Sequence, residues 1–372
     1  MAARSEVLAG ALIPPDERHR LHRLSLARGV LATAAIEGNT LTEPEVLARL
    51  AGRRDLPRSR AYLGIEIDNL LAAYNEVAKK AVAGQPAGFD RQQIQDWNRR
   101  ILGSLEAHAA EGARPGELRT HSVGVGRYRA PPAEDCGYLL DRLASWLHPI
   151  PDSAAFHGRE DRMMDGILRG IVAHLYIAWI HPFGDGNGRV ARLAEFAFLS
   201  QAGMPTPACH LLANHYNLTR QEYYRQLDRS SRVNRGRGDH WEFVRYALRG
   251  LLDGLKEQGD AVEAVQTQMA WLGFLHERIG GRPSPARERR TALARALGAS
   301  DAPLSKRELL RHPDLAAFYA RRTPKTLTRD LNWLADTDRR LVERSGNAYR
   351  ARTDLLRSLR PARAPATGEA GG

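Results

Sequence analysis

The 372-residue chain reads as mainly α: a helical core interrupted by one short β-hairpin, then a smaller module of helices and a hairpin. Three observations predict this. Apolar residues recur at the spacing of a half-buried helix through most of the sequence. Alternation of β-branched residues with Gly and polar ones is confined to two places, around 115–132 and 340–352. A run of breakers, Gly280-Gly281-Arg282-Pro283-Ser284-Pro285, sets the second of these apart from everything before it.

Residues 1–112 form the first helical region, with helical periodicity over Glu17–Ile36, Glu45–Leu50, Tyr62–Ala81 and Arg91–Leu105. Gly38-Asn39 is an αL stop for the first of these, and Thr42-Glu43-Pro44-Glu45 spells a capping box for the second. Residues 113–280 form the central region. A hairpin is expected over 115–129, then helices from Cys136 to Leu147 and beyond, from Met164 to Ile180 and from Val190 to Ser200. In the last module, 285–358, Thr323-Pro324 supplies an N-cap and N1 for a helix carrying Leu327, Leu331 and Leu334. Two strand-like runs follow about Ser345-Gly346-Asn347. The small, Pro/Gly-rich residues 361–372 are expected to be disordered.

Chemistry concentrates between two of these helices, in His181-Pro182-Phe183-Gly184-Asp185-Gly186-Asn187-Gly188-Arg189-Val190-Ala191-Arg192. The loop opens onto a helix N-terminus, whose unpaired N–H groups and partial positive charge favour phosphate. Gly186 and Gly188 let the backbone take positive φ and approach an anion without a Cβ in the way. Arg189 and Arg192 lie three apart on the next helix and could grip successive phosphates. Asp185 offers hard oxygen for Mg²⁺, and His181, with a pKa near neutral, can take a proton from a nucleophile. A plain glycine-rich turn between two helices would need few of these residues.

The string matches His-Pro-Phe-x-(Asp/Glu)-Gly-Asn-Gly-x-x-x-Arg at every fixed position, and so resembles the Fic family. The resemblance implies an all-α Fic-type core with a β-hairpin flap, transferring AMP from ATP to a Ser, Thr or Tyr hydroxyl of a target protein and releasing pyrophosphate. By the same resemblance His181 would be the general base and Asp185 the Mg²⁺ ligand. Phe183 would anchor the loop beside Gly184. Gly186, Asn187 and Gly188 would bind the α- and β-phosphates, with Arg189 helping and Arg192 reaching the γ-phosphate.

Upstream, Thr33-Ala34-Ala35-Ile36-Glu37-Gly38 is similar to the family's inhibitory motif (Ser/Thr)-x-x-x-Glu-(Gly/Asn). That likeness implies that Glu37 pairs with Arg192 and excludes the γ-phosphate from its productive place, with Thr33 and Gly38 completing the motif. The same residues also serve as ordinary helix punctuation, and both readings can hold. The segment from Val123 to Arg129 resembles the flap, whose edge would hold a target by strand addition. Around Asn214–Leu227 the likeness places aromatic residues at the adenine end of the site. Tyr224 is assigned there, although Tyr223 and Tyr224 face different sides of one helix and at least one must pack in the core. His174 reads as a core histidine.

Composition excludes several classes. Only Cys136 and Cys209 occur, which rules out a disulfide scaffold though not a single bridge. No Gly-Lys dipeptide exists, so there is no P-loop, and no His-Glu-x-x-His zincin motif appears. The N-terminus lacks a signal-like apolar run, and Met164–Ile180 contains Arg169 and His174, so a cytoplasmic protein without a membrane segment is expected. The net charge of +12 is concentrated at the C-terminal end, where residues 281–363 hold 20 Lys+Arg against 9 Asp+Glu. Helix, helix and basic hairpin there resemble a winged helix-turn-helix, which would contact DNA through residues 323–352 or dock a protein. Three functions stand open at this level: an autoinhibited AMP transferase, a protein de-AMPylase using Glu37, and a DNA-binding regulator with a nucleotide-sensing core.

Overall fold

A computed structural model describes residues 11–53, 55–85, 88–125, 128–147, 158–232, 239–300 and 302–357. The chain divides into two compact units, Met1–Asp260 and Ala261–Gly372. The expected disordered tail, 361–372, lies outside the described residues.

The first unit is helical: α1 (Pro15–Ile36), α2 (Glu43–Leu50), α3 (Ala61–Val82), α4 (Arg91–Leu102), α5 (Cys136–Trp146), α6 (Arg159–Ile180), α7 (Asn187–Gln201), α8 (Thr206–Cys209), α9 (Leu211–Leu218), α10 (Arg220–Arg232) and the first part of α11 (His240–Arg278). At its centre α6 packs against α7, which is buried on all sides from Arg189 to Leu199. That total burial explains the long apolar run in the sequence. By length and composition α6 could cross a bilayer, but its apolar residues are core: Ile167, Ile171, Leu175 and Ile177 are fully buried. Around the pair stand α1, α3 and α4, whose core residues include Val30, Ile67, Leu70, Ile94 and Ile101.

Local signals end α1 and start α2 as expected. Gly38 takes φ +100°, and the amides of Gly38 and Asn39 donate to Ala35 and Ala34, which closes a Schellman cap. Thr42 and Glu45 then form the capping box. The hairpin pairs β1 (Gly124–Val125) with β2 (Tyr128–Arg129) in antiparallel register, Val125 opposite Tyr128. It is shorter than the expected span, and its tip at 126–127 lies outside the described residues. Cys136 and Cys209 are both free and buried.

The second unit contains the end of α11, then α12 (Pro285–Gly298), β3 (Leu304–Ser305), α13 (Lys306–Arg311), α14 (Pro313–Tyr319), α15 (Pro324–Ala335), β4 (Val342–Ser345), β5 (Ala348–Ala351) and α16 (Asp354–Arg357). Its antiparallel sheet has the order β3-β5-β4. Thr323 is the N-cap of α15 and Gly346 supplies the positive φ in the β4–β5 turn. The core gathers Leu293, Leu297, Leu309, Leu315, Leu327, Leu331 and Leu334. Trp271, Leu275 and Ile279 belong to this core too, which is why the division falls inside α11. The breaker run at 280–285 only ends that helix.

Candidate active site

The site is built where α6 stops and α7 begins. His181 caps α6 in the left-handed region, φ 49°, a conformation uncommon for a residue with a Cβ. It is held there by Arg119, a buried guanidinium that donates through Nε to the His181 carbonyl at 2.8 Å and through its other nitrogens to the carbonyls of His121 and Pro131. The Arg119 amide also donates to Pro182. From the hairpin, the Tyr128 hydroxyl donates to the Trp179 carbonyl at 2.8 Å. Four of these five carbonyls thereby depend on two side chains, those of Arg119 and Tyr128.

The His181 Nδ1 lies 3.3 Å from the Ala178 carbonyl. A carbonyl can only accept, so that contact puts the proton on Nδ1 and leaves the lone pair on Nε2. Burial pushes the imidazole pKa down, opposed by the Ala178 contact and by Glu37 and Asp185, and Arg119 lowers it further. The net direction is down, so the ring is neutral and basic at physiological pH.

Beyond Pro182 the loop is folded by its own side chains. Phe183 is buried, and Asn187 brackets it, accepting from the Phe183 amide at 2.9 Å and donating to the Phe183 carbonyl at 2.8 Å. Gly184 lies against Ala113, where a Cβ would come within 2.9 Å. Gly186 takes φ +80° as the N-cap residue of α7, with no side chain capping the helix. Asn98 supports the loop from α4, donating to the Asp185 carbonyl at 2.9 Å and accepting from the Gly116 amide at 2.8 Å. The result is a helix N-terminus whose first amides face a space lined by glycine, the arrangement that binds anions.

That space is occupied by Glu37. Its carboxylate meets Arg192 at 2.5 Å, and a Cβ on Gly188 would lie 2.3 Å from its Oε1. The carboxylate therefore takes the place beside Gly188 that the loop offers to a phosphate. Arg192 has a side chain with 0% exposure and donates also to the Thr33 carbonyl at 3.2 Å. Burial pushes the Glu37 carboxyl up, but Arg192, Arg189 and His181 together outweigh it and hold it below the usual carboxylate range. Burial lowers the Arg192 pKa, and Glu37 more than restores it.

Arg189 is equally committed. It donates to Glu66 and to Asp185, both at 2.6 Å. Glu66 in turn accepts from Asn39 at 2.8 Å, and Asn39 also holds the Leu63 carbonyl. A chain of polar contacts thus runs from the residue after Thr33–Gly38 to the loop carboxylate: Asn39, Glu66, Arg189, Asp185. Arg192 meets Glu37, the pair that the likeness to the upstream motif implies, whereas Arg189, expected to help hold phosphate, meets Glu66 and Asp185; the segment 33–39 is tied to α7 at two points. The Thr33 hydroxyl bonds Tyr74 at 3.2 Å. Gly38 contributes its left-handed backbone, with open space around its Cα.

Tyr224 is half-exposed and its hydroxyl donates to the Ile36 carbonyl at 3.3 Å, beside a second donor to the same oxygen from Arg220. Tyr223 is the buried member of the pair and bonds His174 Nε2 at 2.9 Å. His174 lies in the core as expected, with Nδ1 3.3 Å from Glu195.

Asp185 accepts from Arg189, the Gly186 amide and, at 3.1 Å, the Ala110 amide. No cluster of three metal-ligating side chains occurs among the described residues. One carboxylate beside an anion-binding loop still fits Mg²⁺, which characteristically takes one or two carboxylates and completes its shell with phosphates and water.

Arg119, Asn98, Glu66, Asn39 and Tyr74 were not singled out as functional by their sequence context. Arg119 lay in the hairpin segment and Asn39 beside the inhibitory motif, which are the only local signals. Glu66 and Asn98 sit on helices remote in sequence, and nothing short of the fold connects them to the loop.

The Fic/DOC family profile matches residues 88–199, the stretch from α4 through α7 that carries the loop. This chain carries a Fic domain. Among curated proteins it is 30% identical over 220 residues to protein adenylyltransferase fic-1 of Caenorhabditis briggsae, covering 59% of this chain and 38% of that one. It is 28% identical to the Caenorhabditis elegans protein of the same name over the same shares. The chain thus spans about two fifths of the length of these curated relatives. In fold, it is similar to a Fic family protein from Desulfovibrio desulfuricans G20, with TM-score 0.53, 23% identity and 94% of each chain covered. A C. elegans Fic-1 structure covering residues 134–508 aligns with TM-score 0.55 and 24% identity over 70% of each chain.

Proposed function

We propose that this chain is a restrained protein adenylyltransferase, moving AMP from ATP to a hydroxyl of a target protein. One observation carries the reading: a neutral imidazole stands at the mouth of a glycine-lined helix N-terminus, and the place beside Gly188 is filled by a carboxylate that competes for the same arginine a phosphate would use. The Fic domain and the names of its curated relatives support it.

When Glu37 withdraws, the free amides of α7 and Arg192 become available to the phosphates of ATP. The target hydroxyl gives its proton to His181 Nε2 as its oxygen bonds to the α-phosphorus. The bond from that phosphorus to the bridging oxygen breaks, and pyrophosphate leaves with the electron pair. Asp185 is the residue that would hold Mg²⁺, which when bound neutralises charge on the phosphate oxygens. Phe183, Asn187 and Arg119 keep the loop in position, so that catalysis is mainly orientation and electrostatic stabilisation. The hairpin edge of Gly124–Val125 and Tyr128–Arg129 would present the target strand. With Glu37 in place the nucleotide cannot adopt that pose.

Wild type, Glu37→Gly and His181→Ala are to be incubated with Mg²⁺ and α-labelled ATP, alone and with lysate. Label on protein that rises with Glu37→Gly and vanishes with His181→Ala supports transfer. If instead Glu37→Gly destroys the release of AMP from a modified protein, the activity is removal, and Glu37 orients the attacking water.

For the second unit we propose that α15 contacts nucleic-acid phosphates. Lys325, Arg329 and Asn332 are exposed at i, i+4 and i+7, forming one outward stripe opposite Leu327, Leu331 and Leu334, within a winged-helix-like order of elements. Fluorescence anisotropy with duplex DNA should show affinity that falls steeply with salt and drops in Lys325→Ala/Arg329→Ala. Salt-independent or absent binding refutes it.

A further inference from the structure

Toward the N-terminal end of α1 from the Glu37 bridge lies a cavity of about 360 Å³, within the size range of small-molecule sites. Leu26, Ala78, Val82 and Phe196 form its apolar wall, and Lys79 brings positive charge to its edge beside His22. Its buried end is His210, 1% exposed, with neither ring nitrogen hydrogen-bonded among the described residues. Such a group normally has a partner, and leaving it without one is costly. Burial and the neighbouring His22 push its pKa down to about 3, so the neutral ring offers one donor and one acceptor.

The cavity is mechanically linked to the inhibitory segment. His22, Leu26, Gly29 and Thr33 follow one another at spacings of four, three and four, so they share one face of α1. Gly29 lies directly on the His210 ring, where a Cβ would come within 2.3 Å of Nδ1. Tyr74 lines the cavity and bonds the Thr33 hydroxyl, and the Thr33 carbonyl accepts from Arg192. The cavity, the inhibitory helix and the phosphate-binding arginine are therefore joined through four named residues.

We propose that this cavity is an effector site for a small phenolic carboxylate, whose binding holds α1 docked and so holds Glu37 on Arg192. The aromatic ring would pack on Leu26 and Phe196, the phenol would satisfy His210, and the carboxylate would face Lys79. Because His22 and Leu26 come from α1 itself, such a ligand binds the docked state better than any state in which α1 has moved. Differential affinity of this kind is what shifts an equilibrium. The regulatory half rests on the reading of Glu37 given above, whereas binding does not.

The probe is 3-(4-hydroxyphenyl)propionate at millimolar concentration on the full chain, followed by calorimetry and by amide exchange over residues 26–37. Saturable one-to-one binding with slowed exchange in that window is expected. Lys79 is exposed, so Lys79→Ala leaves folding intact and should weaken binding about three- to fivefold, as should replacing the probe by its amide. Ala78→Phe, which fills the cavity, should abolish binding. Failure of the wild type to bind the probe overturns the site. Binding that Lys79→Ala and Ala78→Phe leave unchanged places the ligand elsewhere and overturns it too. Binding without slowed exchange overturns the link to α1. None of these readouts requires nucleotide transfer, so failure of adenylylation and failure of the effector site are separable.

Discussion

Replacing Glu37 by Gln keeps the shape of the side chain and removes its charge. Arg192 would then hold a guanidinium with no exposed surface and no counter-charge, with the Thr33 carbonyl as its remaining strong partner. Breaking a fully buried ion pair from one side costs about 3–5 kcal/mol. Glu37 retains 27% exposure of its side chain, so solvent screens part of the interaction. A cost of about 2–3 kcal/mol is the appropriate scale here. At about 2–4 °C per kcal/mol for a unit of this size, the first unit should melt about 4–12 °C lower. The unpaired Arg192 is also a vacant anion site, so ATP should raise the melting temperature of Glu37→Gln more than that of wild type. The same free energy, at 1.4 kcal/mol per decade, corresponds to roughly a 30- to 150-fold gain in the population open to productive nucleotide and in label transferred. Scanning calorimetry with and without ATP, beside an initial-rate assay with α-labelled ATP, measures all three. If the variant melts with wild type and gains no stabilisation from nucleotide, Glu37 does not restrain the site electrostatically.

Three further outcomes follow from the same geometry. Gly188→Ala places a methyl 2.3 Å from Glu37 Oε1 and in the path of phosphate, so it should displace the inhibitory carboxylate yet show no gain in labelling; a gain would mean that phosphate does not approach Gly188. With the His181 pKa depressed, its neutral, proton-accepting form persists as pH falls past the ordinary value of about 6.5. The labelling rate of Glu37→Gly should therefore stay level from pH 8 to about 7 and decline only below the ordinary histidine range, and an inflection at or above pH 7 counts against His181 as the base. Arg119→Ala removes the donor shared by the carbonyls of His181, His121 and Pro131. Labelling by Arg119→Ala/Glu37→Gly should fall at least about tenfold relative to Glu37→Gly, with melting about 4–8 °C lower at a cost of roughly 2 kcal/mol; an unchanged rate would show that the turn holds itself.

Much of the site could be read from local sequence because its parts are local. The loop 181–192 carries its glycines, its base and its carboxylate within one turn between helices, and the conformation each needs is set by neighbours, as when Asn187 closes on Phe183. Helix limits followed for the same reason, through the Schellman cap at Gly38 and the capping boxes at Thr42 and Ser305. The short strand β3 went unread because two residues carry no detectable alternation and exist as a strand only through pairing with β5.

By itself, then, the sequence determined which residues could do chemistry and where backbone turns must fall, since capping, positive φ and amphipathic spacing are decided over a few residues. Only the tertiary structure decided what those residues touch. It turned Arg189 onto Glu66 and Asp185, set Arg119 beneath His181, tied Asn39 to α3 and placed a buried His210, unpartnered among the described residues, against Gly29 of α1. The partners in these contacts are separated by between 27 and 123 positions wherever they cross between elements. Charge pairing and close packing at such range depend on how helices are brought together in space, and that information is spread over the whole core rather than carried by any one segment.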